Sequence, residues 1–103
     1  MKNKDFQIVY KNGKSYANKY LVMYLLNNNK EENRLGISVS KKVGNSVVRH
    51  RVTRLIREAY RLNKEKFLNG YDIGVIARAN ANGKTYQEIE SALLHLGKHL
   101  LEN

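Results

Sequence analysis

The sequence predicts a single small α+β domain spanning residues 1–103, in the order α-β-β-α-β-α, with a mostly antiparallel sheet and helices packed on it. Three observations lead there. Apolar or alternating runs of strand period occur at residues 20–26, 34–40 and 71–78. Apolar residues recur three and four apart at 5–12, at 46–67 and from 85 onward, which is the helical period. The chain has 103 residues, 42% of them apolar, enough for one core but not two.

Each element has its own justification. Phe6, Val9 and Tyr10 share a helical face over Asp5–Asn12, and Gly13 stands where a helix-ending glycine is expected. In the run Tyr20–Leu26, Leu21, Met23 and Leu25 point to one side and Tyr20, Val22, Tyr24 and Leu26 to the other. The polar stretch Asn27–Asn33 is long enough for a hairpin loop to the next strand. That strand, Arg34–Ser40, sets Leu35, Ile37 and Val39 against the small residues Gly36, Ser38 and Ser40, leaving room for something to lie on the second face. Asn45 or Ser46 caps the long helix. YDIGVIAR reads as a strand and ANANGK as a turn. Thr85 and Glu88 have capping-box spacing, opening a helix with Tyr86, Ile89, Leu93, Leu96 and Leu100 inward.

Charge gives the first functional direction. Lys and Arg number 19 against 9 Asp and Glu, a net +10. Between Arg34 and Phe67 ten basic residues face two acids, whereas from Thr85 onward the balance is negative. The excess is therefore a basic surface on a folded domain, suited to a polyanion. Cysteine is absent, which excludes disulfide scaffolds and thiol chemistry and fits a reducing compartment, here expected to be the cytoplasm. No leader-like or membrane-spanning apolar segment is present, and no membrane partner is expected.

The long helix carries the chemistry. Val48, Val52, Leu55, Ile56, Ala59 and Leu62 gather on the core side. Opposite them His50, Arg54, Arg57, Arg61 and Lys64 form one ridge, and Arg49-His50-Arg51 fan donors around the helix start. A solvated helix face normally mixes signs. This ridge has only Glu58 near it, and its planar guanidinium forks suit phosphate and base edges. A membrane-surface role would need the apolar arc that the core requires. Aromatic faces beside a positive groove would hold single-stranded nucleic acid with little sequence preference. Phe6, Tyr10, Tyr20 and Tyr24 could supply those faces, with Phe6 open to a core or a stacking role.

Catalytic and metal-binding constellations are lacking. The acids are scattered singly, without the carboxylate cluster of a metal-dependent nuclease. His95 and His99 are four apart with no obvious third ligand, and read as a solvated pair. No short helix precedes Ser46 at helix-turn-helix spacing. The residues alone thus leave open an accessory RNA-binding subunit and a structural RNA-binding protein of ribosomal type.

The segment VSKKVGNSVVRHRVTRLIREAYR resembles the signature of the bacterial ribonuclease P protein subunit, S-K-K-x-G-N-A-V-x-R-N-R-x-K-R-x-x-R-E. DFQIVYKNGKS, YDIGVIAR and TYQEIE agree with the surrounding frame, so the resemblance covers nearly the whole chain. His50 stands where the family has an asparagine, and Thr53 where it has a lysine. The resemblance implies a protein that does not itself catalyse. A large RNA, holding Mg²⁺, removes the 5′ leader of precursor tRNA, and the protein binds both ribonuclease P RNA and precursor tRNA, as a monomer within a ribonucleoprotein. By matching position, Lys41, Asn45, Arg49, His50, Arg51 and Arg54 would contact the catalytic RNA. Phe6, Tyr10, Tyr24, Ser38, Lys42, Arg57 and Arg61 would line or flank a leader cleft. The resemblance also implies a left-handed βαβ crossover, and no cofactor or metal bound by the protein itself.

Overall fold

The computed structural model describes residues 1–102, with the side chain of Glu102 left out. Among these residues the elements are α1 (Asn3–Asn12), β1 (Lys14–Ala17), β2 (Leu21–Asn27), β3 (Arg34–Val39), α2 (Ser46–Leu62), β4 (Tyr71–Ala77) and α3 (Tyr86–Glu102). Short 3₁₀ turns lie at Lys64–Lys66 and Ala79–Ala81. The sheet order is β1-β2-β4-β3; β1–β2 and β2–β4 are antiparallel and β3–β4 is parallel. The α+β class and the mostly antiparallel sheet therefore stand.

The two sheet faces have different covers. Leu21, Met23 and Leu25 of β2 and Ile73, Val75 and Ala77 of β4 are buried with Val52, Ile56 and Ala59 of α2 and Ile89, Leu93 and Leu96 of α3. This is the main core, and burial of these apolar side chains is the chief drive for folding. The register places Tyr24, Gly74 and Gly36 side by side on the opposite face. There α1 lies, with the Phe6 ring over both glycines: a Cβ added at Gly36 would come within 2.8 Å of it and one at Gly74 within 3.4 Å. The small-residue face of β3 thus has its occupant.

Several expectations change. The strand β1 went unread because KSYA is exposed throughout and carries no apolar alternation; pairing with β2 makes it a strand. Asn27–Asn33 is not a hairpin loop, since β4 lies between β2 and β3. The segment instead crosses the start of β4: Asn28 N–H donates to the Gly70 carbonyl, Tyr71 N–H to Asn33 Oδ1, and Asn33 Nδ2 to the Leu68 carbonyl. The long helix ends at Leu62, so Lys64 leaves the helical ridge. Tyr60 is buried in place of Leu62, which is 51% exposed. Gly13 ends α1 as expected but with φ −81, outside the left-handed region. What excludes a side chain there is space, for a Cβ would lie 2.7 Å from the Val9 carbonyl oxygen and 2.9 Å from that of Leu25.

The predicted capping box closes α3. Thr85 N–H donates to Glu88 Oε1 at 3.1 Å, and Glu88 N–H donates to Thr85 Oγ1 at 3.2 Å. The backbone N–H of Thr85 also holds the Glu88 carboxyl below its usual range. No described helix is long and apolar enough to cross a membrane.

Candidate nucleic-acid interface

Asn45 sets the start of α2. Its Oδ1 accepts from Val48 N–H at 3.0 Å, and the next residues enter the helix. Burying Val52, Ile56 and Ala59 turns His50, Arg54, Arg57 and Arg61 outward, and all four are exposed. His50, Arg51 and Arg54 border one open hollow with Ser46 and Val47. On one flank Arg51 donates from Nη2 to the Lys84 carbonyl at 3.0 Å. On the other, Arg49 is half-buried, and its Nε is enclosed without a partner among the described residues. Thr53, the substituted position, donates from its hydroxyl to the Arg49 carbonyl at 2.9 Å, a role that the sequence did not suggest. Lys41 and Lys42 are exposed in the turn after β3, anchored by the buried Val43.

The ridge is less uniform than its sequence. Arg61 Nε donates to Glu58 Oε1 at 2.6 Å, which pulls the Glu58 carboxyl down and the Arg61 guanidinium up. Arg57, Arg61 and Lys64 line a groove with Leu35 and Tyr60, faced by Glu31 and Glu32. Arg34, counted in the basic stretch, belongs to the framework instead. Its Nε and Nη2 grip both carboxylate oxygens of buried Asp72, at 2.8 and 2.5 Å, and Nη1 reaches Asp5 of α1 at 3.4 Å. Asn28 Nδ2 adds a third bond to Asp72 at 3.0 Å. These donors, Arg34 first, hold the Asp72 carboxyl below its usual range despite burial.

The aromatic candidates gather on the α1 face. Tyr10 and Tyr24 have ring centroids 4.6 Å apart, and Phe6 follows at 6.5 Å from Tyr10. Burial, then the hydrogen bond to the Tyr10 hydroxyl, pushes the Tyr24 phenol up. Phe6 and Tyr24 are half-buried, while Tyr10 is 51% exposed. Beside this row the same face continues through Val22, Ile76 and Ser38, cross-strand neighbours of which Ser38 is exposed. Val22 lies on the Tyr24 face as its alternation predicts, and Ile76 joins it through the pairing of β2 with β4.

Two expected groupings are not realised. Tyr20 precedes β2 and turns to the other face, its hydroxyl 3.5 Å from Glu88 Oε2 and its ring under the Lys84 ammonium. Arg57 and Arg61 ride on α2, across the sheet from the aromatic row, and line their own groove. His95 and His99 are not merely solvated. Tyr16 of β1 stacks on His99 at 3.6 Å and meets His95 edge-on, and Asn18 Nδ2 approaches His95 Nδ1 at 3.3 Å. No cluster of three potential metal ligands occurs among the described residues.

The arrangement offers a fan of guanidinium donors at one helix start and an aromatic shelf on the far side of the sheet. The chain as a whole is similar to proteins of one family. The family model described as Ribonuclease P matches residues 1–101. The ribonuclease P protein component of Lachnoclostridium phytofermentans is 65% identical over 96 residues, covering 93% of this chain and 83% of the relative. That of Alkaliphilus metalliredigens is 61% identical over 95 residues, covering 92% and 86%. Among solved structures, the Staphylococcus aureus RNase P protein superposes with a TM-score of 0.84 at 45% identity, over 99% of this chain and 90% of that one. The Thermotoga maritima RNase P protein gives 0.87 at 34% identity, over 93% and 91%.

Proposed function

Because this chain belongs to the ribonuclease P protein family, and so is a subunit of the endoribonuclease of tRNA 5′ processing and a partner of ribonuclease P RNA, we propose that its two polar faces divide the work between two RNAs. The start of α2 grips the catalytic RNA through Lys41, Arg49, His50, Arg51 and Arg54. The shelf of Phe6, Tyr10 and Tyr24, with Ser38 on its floor and Lys42 at the end of β3, holds the single-stranded leader of precursor tRNA. Arg57 and Arg61, in their own groove on the α2 side, extend the cationic surface and do not reach the aromatic row.

The observation that carries this reading is the separation itself. Cationic donors and stacking surfaces occupy different faces of one sheet, so two strands of RNA can be held without competing. Guanidinium forks recognise phosphate in a folded RNA whatever its sequence. An accessible ring accepts any unpaired base, which suits a leader of variable sequence, and Tyr10 is the exposed ring of the row. The protein supplies no acid, base or metal ligand to the reaction. The Mg²⁺ used in cleavage is held by the RNA, and the protein acts by positioning the substrate.

The test is cleavage of a leader-bearing precursor tRNA at low Mg²⁺ with protein alone, catalytic RNA alone, and both. Efficient cutting at the leader junction by the mixture alone is expected. Protein that adds nothing to the RNA would overturn the reading. In the mixture, Tyr24→Ala should lower the preference for precursor over mature tRNA about tenfold, the loss of one base stack. Retained preference would remove Tyr24 from the leader site.

A further inference from the structure

The turn that joins β4 to α3, residues 78–85, stands beside the start of α2 and is held firmly. Ala81 at its centre is fully buried. Backbone N–H groups of Ala81, Asn82 and Lys84 donate to the carbonyls of Arg78, Ala79 and Ala81. Arg78 in turn is fixed by its own N–H to the Tyr20 carbonyl and by Nη1 to the Asn18 carbonyl. At the other end the Lys84 carbonyl takes the bond from Arg51, and the Lys84 ammonium lies 5.3 Å from the Tyr20 ring centroid.

Between these anchors the turn presents Asn80, Asn82 and Gly83 to solvent. Neither asparagine side chain is hydrogen-bonded to another described residue. Asn82 has φ −61, and neither asparagine adopts the positive φ that often selects this residue in turns. Gly83 does, at φ +79, with nothing within 4 Å of where a Cβ would stand. Backbone geometry thus accounts for Gly83 but not for the two asparagines.

We propose that this turn is a second arm of the catalytic-RNA interface, forming with Arg51 a two-sided clamp on one stretch of RNA backbone. The amides of Asn80 and Asn82 donate to phosphate oxygens and accept from ribose 2′-hydroxyls, the group that distinguishes RNA from DNA. Lys84 adds a positive charge, and the open backbone at Gly83 lets a phosphate come close. The turn is already ordered by Ala81 and Arg51, so binding costs little conformational entropy there. The inference rests on the placement of the catalytic RNA at the start of α2.

The experiment measures affinity for ribonuclease P RNA across a salt series for the parent protein, Asn80→Ala/Asn82→Ala, Lys84→Gln and Arg54→Ala. The asparagine pair carries no charge, so the double variant should bind about tenfold more weakly with an unchanged salt slope. Lys84→Gln should weaken binding and flatten the slope by about one ion. Thermal stability of the double variant should match the parent, both positions being exposed. If Arg54→Ala loses affinity and the turn variants bind like the parent, the clamp is overturned and the α2 placement stands. If Arg54→Ala also binds like the parent, that placement fails and the clamp falls with it.

Discussion

Gly36→Ala tests how α1 is seated on the sheet. The new Cβ would lie 2.8 Å from Phe6 Cδ2, 3.1 Å from Phe6 Cε2 and 2.6 Å from Met1 Cε. The end of Met1 can swing aside, but the Phe6 ring sits between the strand floor and its own helix, so ring and helix must lift. Overpacking of this kind costs about 1–3 kcal/mol. The smaller unfolded-state entropy of alanine returns about 0.4–1 kcal/mol. The difference is a net loss of up to about 2.6 kcal/mol, at roughly 4–8 °C of melting temperature per kcal/mol for a domain of this size. Gly74→Ala supplies the internal contrast. Its Cβ would meet Phe6 Cζ at 3.4 Å, an ordinary contact, so stability should hold or rise by up to about 1 kcal/mol. Urea denaturation of the parent, Gly36→Ala, Phe6→Ala and the double variant gives the coupling directly. The Gly36→Ala penalty should largely vanish once the ring is gone. A penalty of equal size without the ring, or a larger one at Gly74 than at Gly36, would refute the account of α1 resting on a glycine floor.

Other expectations concern the framework. Asp72 has its carboxyl held down by Arg34 and Asn28, so the folded state prefers the carboxylate. Its contribution is complete above the ordinary aspartate value of 3.8 and is lost as pH falls through the lower folded value. Asp72→Asn should therefore cost about 1.5–3 kcal/mol near neutral pH and flatten the acid limb of a stability-against-pH curve; an unaltered acid limb would count against this role. Thr85→Ala removes one half of the capping box and should cost about 0.5–2 kcal/mol in chemical denaturation. A variant as stable as the parent would show that the cap contributes nothing.

Much of the local structure was legible because it rests on spacing alone. The apolar stripes of α2 and α3 specify which side of each helix is buried, the Thr85–Glu88 pair closes its own helix end, and the α2 cap is narrowed to Asn45 or Ser46, of which Asn45 serves. The fan from Arg49 to Arg54 needed only the helical period to be placed. The family followed from a contiguous motif in that same helix, since one rigid element presents its side chains in sequence order.

Pairing between distant segments was not legible. Nothing local in KSYA marks it as a strand until β2 lies beside it, and no spacing says that β4 enters between β2 and β3. That insertion decides which residues share a face. It brings Gly74 next to Gly36 and so makes the floor under Phe6, and it sets Asp72 where Arg34 can grip it, turning a member of the basic stretch into a brace. Tyr20 leaves the face its alternation assigned because it precedes the strand, and Glu88 and Lys84 of the α3 end receive it. Periodicity records which side of an element avoids water. The neighbour that covers that side depends on contacts between residues far apart in the chain, and these were decided only when sheet and helices closed on one core.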